Sequence, residues 1–330
     1  MPPDSAAEDA RWLAAAAALA TRARPLSRPN PAVGAIVVRD GRVLGHGWTR
    51  PGGRPHAEAE ALAMAGSAAR GATIYVTLEP CAHRSERGPS CTSLILEADL
   101  GRVVAGVEDP DPRTAGSGLA ALRAAGIEAE LLPHPAAAAS LTGYLMQRRE
   151  RRPYVTLKLA TSLDGCIALA DGSSRWITGE AARAHVHTQR ARTDAILVGG
   201  GTRRADAPRL DVRLPGLETR SPERWVLSHE DAPPGWRALA EPGAIIGMAD
   251  IQYLYVEGGA GAAAAFLAAD LVDMLMLYRA PILIGTGKHA LGDIGLVDLA
   301  EAHGRWRLTD WRNLGSDSLE VYERVRPRAA

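Results

Sequence analysis

The run from His56 to Cys91 decides how the first half of this chain folds. His56-Ala57-Glu58 opens an Ala-rich stretch to Ala69, Thr73-Ile74-Tyr75-Val76-Thr77-Leu78 follows, and Glu79-Pro80-Cys81 leads on to Cys91. The first stretch predicts a helix and the second a short buried strand. His56 then stands at a helix start, with Cys81 and Cys91 on the loop that leaves the strand. One imidazole and two thiolates are three ligands, one short of a tetrahedron. Structural zinc sites fill all four positions, whereas catalytic sites keep one for water, whose pKa the metal lowers toward ~7. Glu58 is not needed as a ligand and is placed to shuttle a proton from water to a leaving amine.

Zinc deaminases acting on cytosine or adenine carry His-x-Glu followed by Pro-Cys-x-x-Cys. Here nine residues separate the cysteines, so Cys91 is the ligand with the loosest spacing. An isolated His-x-Glu is usually surface helix and an isolated Cys usually core; the conjunction of the parts, in order, favours a metal site. His83, inside the same loop, is a solvated residue or a substitute ligand.

Outward from this run, Glu8 to Arg24 predicts a helix, and Asn30 lies between Pro29 and Pro31, which hold it extended. Val33–Val38 and Val43–Trp48 flank Asp40-Gly41, a hairpin signal. A strand over 102–107, a helix over 118–125 and one long helix over 136–149 complete an alternating α/β pattern with a largely parallel sheet. The charged, Pro-stopped Arg148-Arg149-Glu150-Arg151-Arg152-Pro153 marks a boundary, giving domains 1–148 and 149–330.

Beyond it the pattern restarts, with strands over 154–159, 195–198, 253–256 and 274–278 and helices over 179–192 and 262–269. Gly199-Gly200-Gly201-Thr202-Arg203-Arg204-Ala205-Asp206 and Glu257-Gly258-Gly259-Ala260-Gly261 each follow a strand directly. Glycine loops let backbone approach a phosphate, and a helix N-terminus offers it free amides. Neither loop has the Gly-x-Gly-x-x-Gly spacing, and a plain tight turn is as good a reading. Cys166 reads as a small core residue.

The 330 residues, with 38 basic against 38 acidic, suit two domains and small-molecule chemistry, with no nucleic-acid partner and no membrane. Three cysteines point to the cytoplasm. The apolar run from Trp12 to Ala20 follows Asp4, Glu8 and Asp9, the wrong charge for a signal peptide. A homo-oligomer stays open.

Arg28-Pro29-Asn30-Pro31-Ala32-Val33-Gly34, His56-Ala57-Glu58, Leu78-Glu79-Pro80-Cys81-Ala82-His83 and Asp109-Pro110-Asp111-Pro112 resemble the bifunctional deaminase/reductase family of riboflavin biosynthesis, called RibD or RibG. In the second half, Thr156-Leu157-Lys158-Leu159-Ala160-Thr161-Ser162-Leu163-Asp164-Gly165, Ser174-Arg175-Trp176-Ile177-Thr178 and Ile196-Leu197-Val198-Gly199 are similar to its reductase domain. The resemblance implies a cytidine-deaminase-like α/β/α domain followed by a dihydrofolate-reductase-like α/β domain. It implies zinc on His56, Cys81 and Cys91, with Glu58 as proton shuttle and Asn30 on the pyrimidine edge of a ribosylamine phosphate substrate. It implies NADPH against Ala160, Trp176, Thr202, Asp206, Gly259, Ala260, Gly261, Ala262, Ala263 and Ala264. Ser174, Arg190, Leu210, Arg213 and Glu257 would meet the substrate. Arg190 and Arg213 suit its phosphate, Arg203 and Arg204 the cofactor's 2′-phosphate, and Lys158 is the candidate proton donor of the reduction.

Three features depart from the family pattern: a Cys81–Cys91 loop one residue longer, Thr49 in place of a histidine, and Asp111 in place of an asparagine. Two other readings stay open. One is a deaminase of another base joined to a degenerate second domain; the other is a non-enzymatic protein with a structural zinc staple completed by His83.

Overall fold

Asp40 and Gly41 both take positive φ, which lets β1 (Gly34–Arg39) and β2 (Arg42–Trp48) pair as an antiparallel hairpin. The computed structural model describes residues 5–83 and 86–326. Asp4 of the leading segment and residues 84 and 85 of the long cysteine loop lie outside them. Around the hairpin are α1 (Ser5–Ala20), α2 (Ala57–Ala65), β3 (Thr73–Val76), α3 (Cys91–Glu97), β4 (Arg102–Ala105), α4 (Ser117–Ala124) and β5 (Glu128–Leu131). The sheet order is β2-β1-β3-β4-β5, antiparallel on both sides of β1 and parallel from β3 to β5.

The side-chain period of two assigns each β1 residue to a layer. Ala35 and Val37 enter one core with Ala57 and Ala61 of α2 and Leu119 and Leu122 of α4, while Ile36 and Val38 meet Leu13 and Ala16 of α1 on the other face. This is an α/β/α layer. Gly45 on β2 is what lets α2 sit close, because a Cβ there would lie 2.1 Å from the Ala61 carbonyl oxygen.

The helix expected over 136–149 is two helices, α5 (Pro135–Ser140) and α6 (Thr142–Glu150). Ser140 and Thr142 direct their hydroxyls to the Ala137 and Ala139 carbonyls, local bonds that compete with a continuous helix. Cys91, expected in a loop, is the first residue of α3. Ser90 caps that helix by accepting from the Ser93 amide.

The chain divides between Arg151 and Arg152 into two compact units. The second contains β6 (Tyr154–Thr161), β7 (Cys166–Ala168), α7 (Glu180–Arg190), β8 (Ala195–Gly199), α8 (Gly200–Asp206), β9 (Glu223–Leu227), β10 (Arg237–Leu239) and β11 (Tyr253–Val256). It ends with α9 (Ala260–Ala268), β12 (Met274–Arg279), β13 (Lys288–His289), β14 (Trp306–Leu314) and β15 (Asp317–Arg324). One sheet runs β10-β9-β8-β11-β6-β12-β15-β14, parallel from β10 to β12 and antiparallel through β15 and β14. β13 and β7 make a small separate ribbon. Leu197, Val256 and Leu157 pack with Phe266 of α9 on one face; Ile196, Val198 and Tyr255 pack with Ala182 and Val186 of α7 on the other. Gly199 to Asp206, expected as a glycine loop, is mostly the helix α8. No helix among the described residues is long and apolar enough to cross a membrane.

Candidate active sites

His56 is the N-cap of α2, with extended backbone, so its ring stands at the helix mouth while Glu58 lies buried in the first turn. Cys81 leaves β3 through Glu79-Pro80, and Cys91 starts α3. His56 Nδ1 is 3.2 Å from Cys91 Sγ and 3.7 Å from Cys81 Sγ, and the Cys91 amide donates to Cys81 Sγ at 3.3 Å. All three donor atoms lie within 4.8 Å of one another. A hydrogen bond from the Cys91 thiol, with a further one from His56, pulls Cys81 down to about 4, and the same contact pushes Cys91 up.

One nitrogen and two sulfurs at this spacing fit zinc with a position to spare. Neither Glu58 nor His83 belongs to the donor group, so among the described residues the staple reading has no fourth protein ligand. Burial raises the Glu58 pKa, as suits a group that must both take and give a proton.

His56, Glu58 and Cys81 line a cavity of about 250 Å³ together with Asn30, Thr49, His83 and Asp111, and Cys91 is buried just beneath it. Thr49 is turned inward: its hydroxyl accepts from the Val33 amide at 2.9 Å, holding the loop that carries Asn30. Asp111 is clasped by Arg113 and approached by Arg148 at 3.5 Å, and the Arg113 bond takes its pKa down to about 2. Asp109 accepts from Tyr144 at 2.8 Å and is raised by burial. Buried Glu79 takes the Gly116, Gly118 and Leu119 amides and so ties the Cys81 segment to the wall behind Asp109. The sequence reading missed Arg54, Asp109, Tyr144 and Arg148 as lining residues; only Asp109 had a signal, the Asp-Pro-Asp-Pro run.

The second unit holds a cavity of about 820 Å³. Ala160, Trp176, Thr202, Asp206, Gly259 and Ala260 line it. So do Ser174, Arg190, Leu210, Arg213, Glu257 and Lys158. Gly261, Ala262, Ala263 and Ala264 do not; Ala263 is wholly buried in the core, on the face α9 turns to the sheet. A Cβ on Gly259 would meet Thr202 Oγ1 at 2.8 Å, so the glycine keeps a backbone cradle open beside α9. A dinucleotide fits such a cradle and volume.

Arg190 reaches the cavity with partners of its own. Its guanidinium forks onto Glu257 at 2.6 and 2.8 Å and donates to the Asp211 carbonyl at 3.0 Å. Arg213 is half-exposed and only 3.5 Å from Asp211. Arg203 and Arg204 do not line the cavity, and Arg204 pairs with Glu230. Lys158 Nζ is 3.9 Å from Glu257 Oε2. Burial lowers the Lys158 pKa; it opposes ionisation of Glu257 too, but Arg190 outweighs it there and holds that carboxyl below its usual range.

Comparison with known proteins agrees with this division. Residues 6–107 match the cytidine and deoxycytidylate deaminase zinc-binding region, and residues 153–243 and 244–319 match the RibD C-terminal domain. The fold and sites thus define a zinc-dependent deaminase joined to an NADPH-dependent reductase. The riboflavin biosynthesis protein RibD of Mycobacterium tuberculosis is 41% identical over 308 residues, covering 88% of this chain and 90% of that protein. RibD of Escherichia coli K12 is 36% identical, covering 94% and 98%. The structure of Acinetobacter baumannii RibD superposes with a TM-score of 0.88 at 33% identity, over 97% of this chain and all of that one. A Thermotoga maritima structure, described as a diaminohydroxyphosphoribosylaminopyrimidine deaminase/5-amino-6-(5-phosphoribosylamino)uracil reductase, gives 0.87 at 29% identity, again over 97% of this chain and all of that one. This chain belongs to the RibD family, the bifunctional deaminase and reductase enzymes of riboflavin biosynthesis.

Proposed function

We propose that residues 1–148 hydrolyse the exocyclic 2-amino group of 2,5-diamino-6-ribosylamino-4(3H)-pyrimidinone 5′-phosphate, and that residues 149–330 reduce the ribosyl group of the product to ribityl. The observation that carries the first half is the His56, Cys81, Cys91 donor group beside buried Glu58, with His56, Cys81 and Glu58 lining a cavity of pyrimidine size. Zinc on those three residues supplies the Lewis acidity that ionises an attacking water near neutral pH. Glu58 accepts the water proton on a carboxylate oxygen and returns it to the departing nitrogen. A carbon–oxygen bond replaces the carbon–nitrogen bond, and ammonia leaves. Asn30 supports the pyrimidine edge, and Thr49 holds its loop in place.

In the second unit, NADPH supplies the hydride that C1′ receives. Ala160, Trp176, Thr202, Asp206, Gly259 and Ala260 hold the cofactor. Ser174, Arg190, Leu210, Arg213 and Glu257 face the substrate, and Arg190 also fixes the Glu257 carboxylate. Lys158 gives the proton that accompanies the hydride. Balanced charge supports a small-molecule substrate over nucleic acid, and three free cysteines support a cytoplasmic setting.

Glu58→Gln separates this reading from a structural metal site. Zinc content and folding should persist while ammonia release falls by about 10²–10⁴-fold; a variant that keeps its turnover would remove Glu58 from the mechanism.

A further inference from the structure

We propose that Arg183 is a positioning residue of the reductase site. Its guanidinium stacks on the Trp176 indole at the cavity wall and makes the cavity favour the neutral, reduced nicotinamide over its cationic, oxidised form. This rests on the reading that the second unit binds NADPH against Trp176.

Arg183 lies in the first turn of α7, and its guanidinium carbon is 5.0 Å from the Trp176 ring centroid. One of its nitrogens donates to the Thr178 carbonyl at 2.5 Å, which orients the fork. The start of α7 is itself anchored, since the Gly179 amide donates to buried Asp317 at 2.6 Å. Of the other arginines that line the cavity, Arg190, Arg209 and Arg213 each face a carboxylate, and Arg175 donates to the Asp206 carbonyl at 3.2 Å. Arg183 makes no ion pair among the described residues, so its charge stays uncompensated where it meets the indole. Trp176 is 64% exposed and lines the cavity, which leaves a flat ring face open to a bound ring.

The ring that covers it is the reacting one. Ser174, two residues earlier, lies on the substrate side, and hydride transfer requires the nicotinamide to meet the substrate there. A guanidinium on one face of an indole is attracted to its quadrupole. A second cation on the opposite face is repelled by the first, and the oxidised nicotinamide carries that charge whereas the reduced ring does not. At about 8 Å separation and an effective dielectric between ~20 and ~80, the repulsion corresponds to about a two- to thirtyfold bias against the oxidised cofactor. The bias aids release of the spent cofactor after each turnover.

Calorimetric titration of the full-length protein with NADPH and with NADP⁺ tests this, using wild type, Arg183→Met and Arg183→Lys. Methionine keeps an apolar stem over the indole without charge. In that variant the ratio of the NADP⁺ to the NADPH dissociation constant should fall about twofold or more, while lysine, which keeps the cation, should retain most of the ratio. Parallel weakening of both nucleotides with an unchanged ratio would mean that Arg183 only shapes the loop, and the inference fails alone. If wild type binds neither nucleotide, the cofactor reading of the unit fails and takes the inference with it.

Discussion

Burial moves Glu58 and Lys158 toward their uncharged forms, the carboxyl up and the ammonium down. For Lys158 this sets a pH signature. A proton donor works only while protonated, and a lowered pKa means that the proton is lost below the ordinary lysine value of about 10.4. Reductase kcat/KM should therefore decline on the alkaline side at a pH under that value. Lys158→Arg, which stays protonated throughout, should lose the decline whatever its absolute rate; a limb that persists in the variant would assign the proton to another group.

At this scale the deaminase residues were legible because each bears its own chemistry: a histidine, a glutamate and two cysteines at readable spacing. The pairing of Arg190 with Glu257 was not legible, because the two lie 67 residues apart and only the folded chain brings them together. Asp111 is similar. Its departure from asparagine looks like a loss until Arg113 and Arg148 are seen beside it.

The elements that build the deaminase site depend on close packing of α2 against β2. Gly45→Ala places a Cβ against the Ala61 carbonyl, and the helix must shift. Overpacking of this kind costs about 1–3 kcal/mol, and the shift moves His56 and Glu58 at the mouth of the same helix. The variant should lose thermal stability and deaminase activity together while NADPH oxidation with pre-formed deaminated product is retained. A variant with wild-type deamination would show that the α2 contact does not position the site.

Elements with a strong local signal could be read from pattern, as in the β1–β2 hairpin with its Asp-Gly turn and in β11, an unbroken apolar run whose four residues are all buried. α3 escaped because a seven-residue helix shows little periodicity and its signal is a single Ser90 cap. β14 escaped for a different reason: as the last strand of its sheet it is mostly exposed, with only Trp306, Asp310 and Leu314 partly buried, so no alternation marks it.

Over the whole molecule, the two units each carry their own cavity and their own cofactor chemistry, a thiolate and imidazole group in the first and a glycine cradle in the second. The product of the first reaction is the substrate of the second, so the account requires two sites that work in a fixed order. The direct measurement is to give zinc-loaded, full-length protein the diaminopyrimidine ribosylamine phosphate and follow ammonia release and NADPH oxidation separately. The account predicts ammonia release with or without NADPH, and NADPH oxidation only after ammonia has appeared. Chelation should stop the first reaction yet leave reduction of added deaminated product intact. NADPH consumed without prior ammonia release, or ammonia released with no NADPH oxidation ever following, would contradict it.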